Sequence, residues 1–258
     1  MLKHHYIKWI CFFGIVLLLA ATCFHIIPGF ILFLWILLWL GLTVFGSFHI
    51  RLNYFLKALH QKKNHSKNEI ALTFDDGPHP NTSQILDLLH KFEMKATFFC
   101  IGKQVEMYPE IAQRMVKEGH IIANHTYTHT PKMGFLPTKK VWNEIQKCSD
   151  IIEKATGKKV MLYRPPFGVT NPNIAKAVEK SGLKVIGWKV RSLDTVISSE
   201  KKLAKRLISR ISKGSIILLH DNRNVTVQTL EQLLITIQKK QLTSVTVSEL
   251  LNIKPYQE

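Results

Sequence analysis

Between Lys8 and Arg51 the chain carries no Asp, Glu, Lys or Arg, and this gap in charge constrains the fold more than any other feature. It holds two apolar runs, residues 7–24 and 29–48, each close to the ~20 residues that cross a bilayer as a helix. His25-Ile26-Ile27-Pro28-Gly29 separates them and reads as a tight turn, so the expectation is a transmembrane helical hairpin over residues 1–50. Trp9, Trp35 and Trp39 fit either interfacial anchors or lipid-facing positions. A cleaved signal peptide is the competing reading. The second long run, and the lack of a small-x-small site with a polar follow-on, weigh against it. A basic linker is expected over residues 51–68, and a single domain over 69–254.

About 190 residues remain after the hairpin and linker, enough for one well-cored domain. The formal charge of +17 lies almost entirely outside the hairpin. A nucleic-acid partner would require a recognition motif, and neither zinc-finger spacing nor an aromatic strand pair occurs; none is expected. Basic residues beside a membrane segment suit anionic head groups, or form an ordinary solvated surface. The four cysteines include no C-x-x-C and do not read as a disulfide framework.

From Asn68 onward, short apolar runs alternate with amphipathic ones. Strands are expected at 70–74, 96–101, 120–123, 161–163, 185–189, 215–219 and 244–247. Helices are expected at 82–92, 110–117, 138–154, 172–181, 200–211 and 227–239. Gly119, Gly157, Gly182 and Gly214 each follow a helical run where a left-handed terminal residue is favoured. Short strands separated by helices imply parallel β-α units. In such folds functional residues gather at the carboxyl ends of the strands. The polar clusters fall there: Asp75-Asp76, His125 to His129, Arg164, Asp194 and His220-Asp221.

Thr73-Phe74-Asp75-Asp76-Gly77-Pro78 puts two carboxylates where a strand opens into a Gly-Pro turn. Neighbouring side chains on extended backbone point opposite ways, so the two acids can do different jobs; the plain alternative is a solvated Asp-Gly turn. His125 and His129, in Asn-His-Thr-Tyr-Thr-His, supply two imidazoles that a loop can converge. Two histidines and a carboxylate, Asp76, form a facial set suited to a divalent ion. Zinc is the first candidate, with cobalt, nickel and manganese as alternatives. His120 has no companion and reads as an ordinary partly buried histidine. Asp75 is the candidate base, oriented by Arg164 through charge-assisted hydrogen bonds. In Arg164-Pro165-Pro166-Phe167-Gly168 the prolines fix the backbone and leave the Phe167 amide available to an oxyanion; a rigid turn is the alternative. His220 is the candidate proton donor, with Asp194 orienting or charging its ring. Asp221 reads as a local turn or cap residue.

These clusters, in this order, resemble the polysaccharide deacetylase (NodB-type) domain of carbohydrate esterase family 4, from about residue 70 to 251. The resemblance implies a distorted (β/α) barrel with fewer than eight regular strands; the strand pattern here suggests about seven. It implies hydrolysis of acetamido groups on N-acetylated glycans to amine and acetate, with O-acetyl esters in some members. It also implies Asp75 as base, Asp76, His125 and His129 as metal ligands, and His220 as acid. The Phe167 backbone would donate to the oxyanion, and Leu218 would form an apolar wall beside the acetyl methyl. The fourth motif departs from the family pattern. Where D-x-x-D-W is common, this chain has Arg191-Ser192-Leu193-Asp194-Thr195, so Asp194 is kept while Arg191 and Thr195 differ. Trp188 lies upstream and could supply part of the missing apolar wall.

The leading expectation is therefore a membrane-anchored N-deacetylase of a polysaccharide, oligosaccharide or lipid-linked glycan, integral to the cytoplasmic (inner) membrane. An O-acetyl esterase and a catalytically silent sugar-binding protein are the alternatives. Lys3, Lys8, Arg51, Lys57, Lys62 and Lys63 flank the hairpin, which by the positive-inside rule puts both ends in the cytoplasm. The implied polymers lie outside, so the side occupied by the domain stays open, as does oligomeric state.

Overall fold

The computed structural model describes residues 3–257. It opens with two helices, α1 (His4–Cys23) and α2 (Gly29–Phe48), each long and apolar enough to cross a membrane. They pack on each other: Gly14 leaves room for the Trp35 ring, whose Nε1 donates to the Cys11 carbonyl at 3.1 Å. Tyr54 fills the space above Gly46 and packs on Ile7 and Cys11. The Thr170 amide donates to the Ser47 carbonyl at 3.0 Å, which holds the end of α2 against the domain.

The domain then runs β1 (Ala58–Leu59), β2 (Glu69–Asp75), α3 (Pro80–Lys91), β3 (Ala96–Cys100), α4 (Gly102–Met107), α5 (Pro109–Lys117), β4 (Ile121–Asn124), α6 (Thr138–Thr156), β5 (Leu162–Tyr163), α7 (Pro172–Ser181), β6 (Lys184–Ile186), β7 (Val190–Arg191), α8 (Glu200–Ile208), β8 (Ile216–His220), α9 (Asn224–Lys239), β9 (Thr243–Ser244) and α10 (Val247–Leu251). Every pair of these strands is parallel. The order is β1-β6-β5-β4-β3-β2-β8-β7, with β9 added at the start of β2.

That order, with one short connection, makes a barrel. β6 and β7 stand six places apart, about 29 Å across a flat sheet. Yet only Gly187, Trp188 and Lys189 join them, and four backbone steps span at most about 14 Å. The sheet must roll until its edges approach, and Trp188 lies at the seam. The Gly187 amide donates to Leu59 O and the Lys189 amide to Ile216 O, tying the seam to both sides.

Alternation along β2 sorts the interior. Ile70, Leu72 and Phe74 belong to the large outer core that includes Leu86 and Leu89 of α3 and Leu230 and Leu234 of α9. On the inner face, Ala71 packs with Phe99, Ile216, Val247 and Leu250, so α10 plugs the amino-terminal end of the barrel. Each such large apolar side chain contributes roughly 1.5–3 kcal/mol on burial. Thr73 and Asp75 follow Ala71 on that inner face, and Asp75 stands at the open end.

The seven expected strands are present, and two more appear. β1 lies inside the basic segment 51–68, where it pairs with β6. The expected strand 185–189 divides into β6 and β7, because the chain leaves one sheet edge and joins the other. The expected strand 244–247 keeps only Thr243–Ser244, and Val247 starts α10 under a Thr246–Glu249 capping box. α4 lies outside the helical pattern that the sequence predicts. Gly157 and Gly182 are left-handed helix caps, and Gly119 follows the α5 cap with φ +80°. Gly214 does not cap a helix: α8 ends at Ile208, and Gly214 sits before β8, where a Cβ would strike the Lys62 carbonyl.

Candidate active site

Because all strands are parallel, their carboxyl ends share one rim. Asp75 ends β2 and His220 ends β8, as register partners. Asn124 ends β4 and hands the chain to His125, while Tyr163 ends β5 and hands it to Arg164. These residues open onto a cavity of about 240 Å³, lined among others by Asp75, Asp76, His125, His129, Phe167, Trp188, Leu218 and His220. Of the ten candidate residues, eight line this cavity. Arg164 and Asp194 stand behind it, each bonded to a residue that does.

Arg164 is fully buried and every guanidinium nitrogen is used. Its Nη1 donates to Asp75 Oδ1 at 2.6 Å and to Thr73 Oγ1 at 2.9 Å, Nε to Ile186 O at 3.1 Å, and Nη2 to Gly187 O at 3.0 Å. The guanidinium also lies 4.0 Å from the Phe99 ring centroid. Burial pushes the Asp75 carboxyl up from the ordinary carboxylate range, against the pull of the Arg164 charge. A carboxylate held this way is fixed in place and less strongly solvated than one on the surface.

Asp76, with φ +78°, turns the other way. Its Oδ1 lies 3.6 Å from His125 Nε2 and 3.5 Å from His129 Nε2, and one donor atom from each residue falls within 4.8 Å of the others. Tetrahedral ligands at ~2.0–2.1 Å from zinc stand ~3.3 Å apart, so the set fits one divalent ion. His125 Nδ1 lies 2.7 Å from the Arg164 carbonyl, which leaves Nε2 facing the cavity, as ligating histidines are commonly oriented. Burial first, then the neighbouring His129, push the His125 pKa down to about 3, so the imidazole is neutral and its lone pair available. The His129 ring packs on Phe167, a residue with φ +59° that is 53 % exposed.

Across the cavity, His220 Nδ1 lies 2.7 Å from Asp194 Oδ1. Asp194 Oδ2 accepts the His220 amide and Thr226 Oγ1, both at 2.8 Å, and Ser192 Oγ donates to Oδ1 at 2.7 Å. Burial acts to raise the Asp194 pKa, but His220, Ser192 and Thr226 outweigh it and hold the carboxyl low. Burial would lower His220; the Asp194 hydrogen bond and charge outweigh it, and the ring is held above its ordinary value. Leu218 and Trp188 supply apolar wall. Gly168, with φ +69°, lies where a Cβ would collide with the Trp188 ring.

Several participants were not legible from motif spacing. Asn222 Nδ2 donates to Asp76 Oδ2 at 3.3 Å, and Arg223 lines the cavity; adjacency to His220 was their only signal. Asp221 is not a local cap. It is fully buried, accepts Thr82 Oγ1 at 2.7 Å and packs where a Cβ on Gly77 would sit, so it ties α3 to the Asp75-Asp76 turn. Burial pushes its carboxyl up to about 7. His120 is buried outside the site, its Nδ1 accepting the Ala96 amide at 3.2 Å. Arg191 and Thr195, where the fourth motif departs from pattern, both line the cavity.

A family model described as polysaccharide deacetylase matches residues 62–186. The chain is 36% identical over 190 residues to the peptidoglycan-N-acetylmuramic acid deacetylase PdaC of Bacillus subtilis, covering 73% of this chain and 40% of that protein. It is also 36% identical over 191 residues to a peptidoglycan-N-acetylglucosamine deacetylase of Bacillus cereus, covering 72% of this chain and 89% of the relative. The crystal structure of the Bc1960 peptidoglycan N-acetylglucosamine deacetylase superposes with a TM-score of 0.72 at 30% identity, over 78% of this chain and 94% of that one. Since the likeness covers 89% of one such relative at 36% identity, and the fold of a solved deacetylase superposes on this one, the chain belongs to the polysaccharide deacetylase family.

Proposed function

We propose that this chain is a metal-dependent N-deacetylase that hydrolyses the acetamido group of an N-acetylated amino sugar in a polysaccharide, oligosaccharide or lipid-linked glycan. The observation that carries this reading is the division of labour on one rim. Asp75 is gripped by a buried arginine, Asp76 converges with two imidazoles, and His220 is paired with Asp194 from the turn after the neighbouring strand β7.

A divalent ion held by Asp76, His125 and His129, with zinc preferred, would polarise the acetyl carbonyl and acidify water. Asp75 takes a proton from the attacking water, and Arg164 keeps its free oxygen aimed into the cavity. The Phe167 amide donates to the developing oxyanion. His220 gives a proton from Nε2 to the departing nitrogen, while Asp194 stabilises the imidazolium. Leu218 and Trp188 enclose the acetyl methyl. Water and amide are consumed, and a free amine and acetate leave.

The hairpin supports retention at a membrane. Its faces expose large apolar side chains, among them Leu17 and Phe24 at 71% and 78%, a surface that lipid would cover. The relatives' names point to N-acetylglucosamine or N-acetylmuramic acid in peptidoglycan.

The test is acetate release by the full chain in detergent, with zinc added, from N-acetylglucosamine oligomers and from an O-acetylated sugar in parallel. Asp75→Asn is expected to lose roughly 10²–10⁴-fold in kcat while still binding zinc. If Asp75→Asn matches the parent, Asp75 is not the base. If neither His125→Ala nor His129→Ala lowers the bound zinc, the metal assignment is wrong.

A further inference from the structure

Beside the catalytic cavity lies a second recess of about 240 Å³, lined by Phe48, His49, Ile50, Arg51, Trp188, Lys189, Arg191, Arg206 and Arg210. Its five cations come from three distant parts of the chain: the exit of α2, the β6–β7 seam, and α8 with the turn after it. No carboxylate lines it, and none of the five is in an ion pair among the described residues. Two are braced by backbone: Arg206 Nε donates to Arg191 O at 3.2 Å, and Arg51 Nη1 to Lys189 O at 3.4 Å. A basic stretch of sequence is usually a solvated face; here distant segments converge on one concave space. Such like charges repel one another, and Arg206 feels both Arg210 and Arg191. An anion with several oxygens relieves that repulsion, and planar guanidinium groups match phosphate oxygens in pairs.

The recess and the catalytic cavity share two walls, Trp188 and Arg191. A group held by the arginines therefore sits next to the sugar being deacetylated. We propose that this recess is a phosphoryl subsite, and that the substrate is an N-acetylamino sugar bearing a phosphate or diphosphate. This rests on the deacetylase reading above and narrows it. It also gives Arg191, in place of the acid common in the family's fourth motif, a role in substrate choice. Two sources of such a sugar exist, a lipid phosphate and a nucleoside diphosphate. The recess wall favours the lipid-linked one, because Phe48 is the last residue of α2 and His49 follows it.

The experiment compares the parent, Arg206→Gln/Arg210→Gln, and Lys201→Gln/Lys202→Gln, which removes the same charge elsewhere on α8. Binding of inorganic phosphate to the full chain, in detergent and freed of metal, is measured by calorimetry. It should weaken at least tenfold in the arginine variant and less than twofold in the lysine variant. With zinc restored, kcat/KM is measured on prenyl-diphosphate-linked N-acetylglucosamine, uridine-diphosphate N-acetylglucosamine and a neutral N-acetylglucosamine tetramer. A phosphoryl substrate should be preferred by the parent, and the arginine variant should cut that preference at least tenfold. Greater preference for the prenyl form identifies the lipid source, and for the uridine form the nucleotide source. Equal phosphate binding by all three proteins, or a preference ratio the arginine change leaves untouched, overturns the subsite. If phosphate binds as expected but no acetate is released from any substrate, the deacetylase reading fails while the anion site stands.

Discussion

Replacing Asp194 with Asn removes one charge and keeps the shape of the side chain. The amide can still accept the His220 N–H and the Thr226 hydroxyl, bonds that Asp194 Oδ2 makes at 2.8 Å. What it loses is the carboxylate at 2.7 Å from His220 Nδ1. Burial already works against a charged His220, and Asp194 is what outweighs it. A hydrogen bond to a charged partner is worth about 1.5–3 kcal/mol, so its loss lowers the proton affinity of His220 by roughly ten- to a hundredfold. The sign follows from the role: a proton donor must hold its proton, and His220 loses it as pH rises. The alkaline limb of kcat/KM should therefore move to lower pH in Asp194→Asn. Above that limb the variant should be roughly ten- to a hundredfold slower, and the deficit should shrink on acidification. Acetate release across pH 5 to 9, with zinc content checked at each point, reads this directly. A loss of equal size at every pH would refute the reasoning, because it would mean that Asp194 only positions the ring.

Arg164→Met should cost about 3–5 kcal/mol in denaturant unfolding, since it leaves the buried Asp75 carboxylate without its partner; adding Asp75→Asn should recover at least about 1 kcal/mol of it, and equal stability of single and double variants would deny the ion pair. His120→Asn tests a pH effect away from the site, with the Asn oxygen replacing the acceptor for the Ala96 amide. Burial first, then Lys95 and Arg114, push the His120 pKa from 6.5 down to about 4. A lowered histidine contributes stability that is complete above 6.5 and lost as pH falls through about 4. The parent should lose up to about 3 kcal/mol more than the variant over that window, read from unfolding curves at each pH. Asp221, raised to about 7, acts in the opposite sense, but it is present in both proteins and cancels. Parallel curves would show that His120 is not the group responsible.

The elements legible in sequence were those with local signatures. Ile85, Leu88 and Leu89 of α3 recur three and four apart, which predicts the helix, although Leu86 takes the core place and Leu88 is only partly buried. The start at Pro80, under the His79–Thr82 capping box, lies two residues earlier than that pattern. β2 and β3 read as strands because they are buried on both faces and so almost wholly apolar. The two-residue strands β1 and β7 have no period to read. Their pairing depends on where the sheet edges arrive after rolling, as does the division of residues 185–189.

The charge-free apolar runs, the alternating α/β order and the acidic, histidine and arginine candidates are legible along the chain, because each is carried by residue type and short spacing; Leu218 enters only through the family resemblance. Which of these residues meet, and at what distance, comes from the folded arrangement. The parallel register set Asp75 beside His220, and the buried turn brought Arg164 back to Asp75. Closure across Gly187, Trp188 and Lys189 placed Arg51, Arg191, Arg206 and Arg210 around one recess. Contacts between residues 15 to 145 positions apart leave no local pattern along the chain; they exist because parallel strands end on one rim and rolling the sheet closes that rim.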